Sequence, residues 1–182
     1  MRIIFTLGMA LLILPIWAAA AASDIAEPED ELKAATVLAF LQNAKWPDQT
    51  ADPDLTVGIV GRPAFAQVLR RTLEGKSVNG RTVRVLTLKS PAEARCQVIY
   101  VATDRKQEIE SALSGATAAH LLTIGESNHF LDSGGAINLF LADGHMSFEV
   151  SISTLDRCNV AISSKLLRFG KLRDLPKGKA PG

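Results

Sequence analysis

The chain has little of what usually announces a chemistry. Only two cysteines, three histidines and one tyrosine occur among its 182 residues. Cys96 and Cys158 are too few and too far apart for a cysteine-based metal motif. His120, His129 and His145 stand alone, none with a second metal-type ligand at helical or turn spacing, so no metal and no cofactor is expected. Catalysis needs a nucleophile beside a base, or paired carboxylates in one cleft, and these isolated histidines offer no such set. An excess of charge is also missing. The formal net charge is +1, and nucleic-acid binding requires a basic surplus to neutralise phosphate. Finally, only one long apolar run exists, and it is at the N-terminus.

That run has the grammar of an export signal. Met1-Arg2 is a short positive start, Ile3 to Ala18 is almost unbroken apolar sequence, and Ala20-Ala21-Ala22 precedes Ser23. Small residues at the −3 and −1 positions are what signal peptidase reads, so residues 1–22 are expected to be removed, with a cut after Ala20 the alternative. Pro15 and the alanine tract argue against a retained membrane anchor. The mature protein is therefore expected to work outside the cytoplasm, in a bacterial periplasm, with no membrane insertion after cleavage. An oxidising compartment would permit its two cysteines to pair.

About 160 residues remain, enough for one domain with its own core. Residues 23–31 are acidic and contain a proline, and read as a flexible leader. The folded domain is expected over 32–170, with a disordered tail at 171–182 that holds Pro176, Gly178 and Pro181. Leu32 to Ala44 reads as a helix apolar around most of its circumference, ended by Trp46-Pro47. Leu55 to Gly61 reads as a strand. Pro63 and Gly75 then bracket a helix as its first residue and its C′ residue. Further strands are expected at Thr82–Leu88, Gln97–Ala102 and His120–Ile124, with a helix from an Asp104/Gln107 capping box to about Leu113. Asp143-Gly144 between Ala136–Ala142 and His145–Val150 is a strong hairpin signal. A short helix near Thr154, a strand at Asn159–Ser163 and a last helix at Ser164–Phe169 complete the order. Alternation of this kind predicts a single-domain α/β layered fold. Its sheet is mixed but mostly parallel, with helices on both faces and one β-hairpin.

Several stretches, in order, resemble the YfiR-like family of periplasmic proteins. They are Leu32-Lys33-Ala34-Ala35 through Lys45-Trp46-Pro47; Val57 to Gly61; Gly80-Arg81-Thr82-Val83; Ala94 to Tyr100; and Phe148-Glu149-Val150 through Ile162 to Leu167. The resemblance covers roughly Leu32 to Phe169, and its specificity lies in order and spacing. It implies regulation, not catalysis: a non-enzymatic repressor that binds the periplasmic part of an inner-membrane signalling protein, typically a diguanylate cyclase, and so restrains cyclic di-GMP signalling. Other members of the family accompany sensor kinases or outer-membrane proteins. The sequence departs from the family pattern twice. Gly58 stands where members often carry a cysteine, and Ser151 stands where an asparagine is usual.

Four sets of residues are candidates for interaction. Leu166, Leu167 and Phe169 in the last helix cannot all point inward, which makes them a candidate partner interface beside the alternative that they close the core. Leu38 and Leu41 on the apolar first helix are the candidate contacts of a homodimer, with core packing the alternative. Cys96 and Cys158 each lie at a strand start, so they are either a disulfide or two buried thiols. Gly58-Ile-Val-Gly61 before a helix is a weak phosphate-turn signal, because it lacks a third glycine. The rival reading, from a different class, is a periplasmic module that senses a small molecule at the carboxyl edge of the sheet.

Overall fold

The computed structural model describes residues 28–46, 54–89, 96–118 and 120–174. The expected signal peptide and the first residues of the leader lie outside these. α1 (Pro28–Asn43) starts four residues before the expected Leu32, inside the segment read as a loose leader. The features that suggested a leader are those that begin a helix. Pro28 lacks only an N–H that would be orphaned anyway, and Glu29, Asp30 and Glu31 in the first turn complement the helix dipole.

The chain continues as β1 (Ala44–Lys45), β2 (Asp54–Gly61), α2 (Pro63–Leu73), β3 (Ser77–Val78), β4 (Arg81–Thr87), β5 (Val98–Ala102) and α3 (Lys106–Ala118). It ends as β6 (Leu122–Gly125), β7 (Ile137–Ala142), β8 (His145–Ser151), α4 (Ile152–Arg157), β9 (Ala161–Ile162), α5 (Ser164–Leu167) and β10 (Lys171–Arg173). Eight strands form one sheet in the order β10-β8-β7-β6-β5-β2-β4-β3. β4, β2, β5, β6 and β7 run parallel; β8 returns antiparallel as the hairpin partner of β7. The hairpin turn is Asp143-Gly144, both at positive φ (51° and 76°), as a primed two-residue turn requires.

Burial explains the layers. All five residues of β5 are buried, as expected for a central parallel strand covered on both faces. Val98, Tyr100 and Ala102 join a main core with Val37, Phe40 and Leu41 of α1 and Phe65, Leu69 and Leu73 of α2. On the opposite face, Val101 packs with Ile109, Ala112 and Leu113 of α3 and with Phe130 and Leu131 of the loop after β6. Phe40 meets Phe148 of β8 edge-on, with ring centroids 4.9 Å apart and planes at 80°.

Three expectations are corrected. The strand expected at Asn159–Ser163 shortens to β9 and does not join the main sheet; it pairs antiparallel with β1 as a separate two-stranded sheet. The tail expected from residue 171 begins as β10, parallel to β8, because β8 offers it an open edge. The Asp104/Gln107 capping box is not formed: Arg105 supplies the carbonyl that opens α3, and its N–H donates to Thr103 Oγ1.

Candidate functional site

The strand order reverses at β2: β4 lies on one side of it and β5 on the other. Crossovers therefore leave β2 and β5 in opposite directions, and a crevice opens beyond their carboxyl ends, the usual place for ligands in open α/β sheets. Here it is about 920 Å³, bounded by the first turn of α1, the residues that follow β2 and β5, and α3. Gly61 makes the tight exit from β2 at φ 107°. A Cβ there would run into the backbone carbonyl of Ala102, and the next N–H, of Arg62, donates to that same carbonyl at 3.0 Å. This close approach is what requires the glycine.

One wall of the crevice is an ion-pair network. The Arg62 guanidinium donates to both carboxylate oxygens of Asp30, at 2.9 and 3.2 Å, and through Nε and Nη2 to Glu126 at 3.1–3.4 Å. Lys33 Nζ lies 2.6 Å from Glu29 and 2.8 Å from Glu126. The Tyr100 hydroxyl donates to Glu126 at 3.1 Å. Asp30 and Lys33 are buried, and the Glu126 side chain is 12% exposed. Glu126 is thus the hub, serving an arginine, a lysine and a phenol. Burial, aided by the Glu126 charge and hydrogen bond, holds the Tyr100 hydroxyl well above its usual titration range. Burial alone would lower Lys33, but its hydrogen bonds to Glu126 and Glu29 outweigh that and raise it. The hydrogen bond to Asp30 leads in raising Arg62, against the opposing effect of burial. The network's members lie far apart in sequence, and sequence reasoning misses them. The available signal is that Arg62 and Glu126 each directly follow a strand-ending glycine.

The residues named as candidate interfaces and the cysteines lie elsewhere. Leu166 and Leu167 are half-buried against the main core, while Phe169 is 70% exposed. Of the candidate partner residues, only Phe169 projects freely. Leu38 is half-buried on α1, and Leu41 is wholly buried, so Leu41 has no surface to offer a second copy. Cys96 and Cys158 are two free, buried thiols. Cys96 packs with Ile99, Ala116 and Leu121, and the Cys158 thiol lies 3.1 Å from the Leu121 carbonyl. The two strand starts are not sheet neighbours, because Cys158 leads into β9, outside the main sheet. Burial pushes the Cys96 thiol up to about 11 and also raises that of Cys158, so neither is an activated nucleophile.

The model of the YfiR/HmsC-like family matches residues 30–171, most of the chain. The chain belongs to the YfiR/HmsC-like family. The match begins within α1 and ends at the first residue of β10. At the first departure from the YfiR-like pattern, a Cβ on Gly58 would stand 3.2 Å from the Cys96 sulfur, with the tip of Leu88 in the way. At the second, Ser151 N-caps α4, its Oγ accepting from the Thr154 N–H. No curated protein matches the chain. Among solved structures, a conserved domain protein from Vibrio cholerae is similar in fold, with a TM-score of 0.54 at 14% identity over 80% of this chain. The ABC domain from Streptococcus pneumonia, solved with L-Trp, aligns at a TM-score of 0.47 and 11% identity over 65% of this chain. The chain spans only 60% and 55% of those two structures. Among the described residues, no helix is long and apolar enough to cross a membrane.

Proposed function

We propose that this protein is a non-enzymatic periplasmic regulator that holds an inner-membrane signalling protein of the diguanylate cyclase type inactive by binding its periplasmic part. Family membership over residues 30–171 carries this reading. Repression of this kind is differential binding. The regulator prefers the partner's inactive state, and moving a partner from almost fully active to almost fully inactive takes a preference of about 10⁴-fold.

Deleting the gene is expected to raise cellular cyclic di-GMP, and restoring the exported protein to lower it again. A clean deletion with unchanged cyclic di-GMP removes the proposal. A second reading, a small-molecule sensor, is favoured by one observation: the crevice lies at the topological switch point and has the size of a ligand site. On that reading a periplasmic metabolite raises the melting temperature of the mature protein, and Arg62→Ala abolishes the rise.

A further inference from the structure

The main sheet has two edges. At one, β3 is two residues long and ends in the tight Asn79-Gly80 turn, too short to template another strand. At the other, β10 pairs only with β8 among the described residues, and all three of its residues are exposed. An edge strand with unpaired backbone groups is a ready site for an added strand, and many partner segments dock in this way.

The chemistry around β10 selects what could be added. Lys165, Arg168 and Lys171 make no ion pair among the described residues, whereas Arg173 is held by Asp132 at 2.7 Å and Glu149 at 3.3 Å, and Asp174 accepts from Ser151. Aromatic faces position two of these free cations. The Arg168 guanidinium lies 4.9 Å over the Phe169 ring, and the Lys171 ammonium 5.5 Å over the Phe140 ring. Between the charges, Phe169 and Leu172 are exposed by 70% and 38%. A lysine on an edge repels an identical edge, which disfavours a second copy of this chain.

We infer that the edge formed by Arg168–Arg173 receives an extended, acidic segment of the partner, laid alongside β10 with an apolar side chain against Phe169 and Leu172. This rests on the regulator reading above and specifies where and by what chemistry the partner is held. Four strains test it: the gene deletion, R168E/K171E, Phe169→Ser, and Lys76→Glu as a charge reversal near the other edge. The variants are first shown to be exported at wild-type level and to melt at the wild-type temperature. R168E/K171E is expected to raise cyclic di-GMP to at least half of the deletion's rise, Phe169→Ser to raise it measurably, and Lys76→Glu to leave it unchanged. If the deletion raises cyclic di-GMP and folded R168E/K171E does not, the docking inference is wrong while the regulator reading stands. If the deletion itself changes nothing, both fall. An equal rise from Lys76→Glu makes the effect one of overall charge and also overturns the inference.

Discussion

The crevice beyond β2 and β5 and the edge beyond β10 use charge in opposite ways. In the crevice Asp30, Lys33 and Glu126 are largely shielded from water, and each is matched to an opposite charge. At the edge Lys165, Arg168 and Lys171 face solvent with no carboxylate among the described residues. The difference follows from desolvation. A charge taken out of water must be paired or it destabilises the fold, while an exposed charge costs little alone and stays available to a partner. Changes in the crevice should therefore appear first as lost stability, and changes at the edge as lost binding with stability intact.

Glu126→Ala gives the largest expected effect. It strips Arg62, Lys33 and Tyr100 of their shared acceptor at once. Breaking a buried pair costs about 3–5 kcal/mol, and the partial exposure of Arg62 places this case near 3 kcal/mol. Urea denaturation measures it; a loss below about 1 kcal/mol would mean that the network is no better paired than the edge. Cross-linking sharpens the contrast from the same side. Gly58→Cys is expected to bond with Cys96, because the new Cβ stands 3.2 Å from that sulfur once Leu88 shifts. Such a bridge contributes up to about 4 kcal/mol by chain entropy, less the strain of moving Leu88. Thiol titration of denatured, unreduced protein should find one free thiol, the Cys158 one, against two in the parent. Three free thiols in the variant would show that the sites do not meet.

The pH dependence is a milder probe. Tyr100 and Lys33 both titrate higher in the folded protein than in the unfolded chain, where they do so near 10 and 10.5. Their contributions are therefore whole below about pH 10. Above it the unfolded chain releases these protons first, and stability falls as pH rises toward the folded values. Denaturation at pH 8 and pH 11 should show this fall, with a smaller one in Tyr100→Phe. An unchanged pH dependence in that variant would remove Tyr100 from the network's energetics.

The sequence makes local patterns legible and leaves non-local ones hidden. Pro63 and Gly75 bracket α2 as read, and Asp143-Gly144 turns the hairpin as read, because these residues act on their own backbone. The layered, mostly parallel sheet follows from the alternation of elements. β10 is hidden, since Lys171-Leu172-Arg173 has no strand pattern of its own and is a strand only because β8 lies beside it. The crevice network is hidden for the same reason: Asp30, Arg62, Tyr100 and Glu126 come together through topology, not spacing. The three apolar residues of the last helix are legible as a group but not individually. Leu166 and Leu167 turn toward the core, and Phe169 lies beyond α5, where the chain has already left the helix.

On the docking inference the partner is held at the β10 edge and not at the crevice. Photo-crosslinking in living cells tests it most directly, with p-benzoylphenylalanine placed at position 169 in one strain and at position 107, in the crevice wall, in another. Position 169 is expected to capture an inner-membrane protein carrying a cyclase domain, identified by mass spectrometry, and position 107 is not. Capture of that protein from position 107 alone, or from neither position, would contradict it.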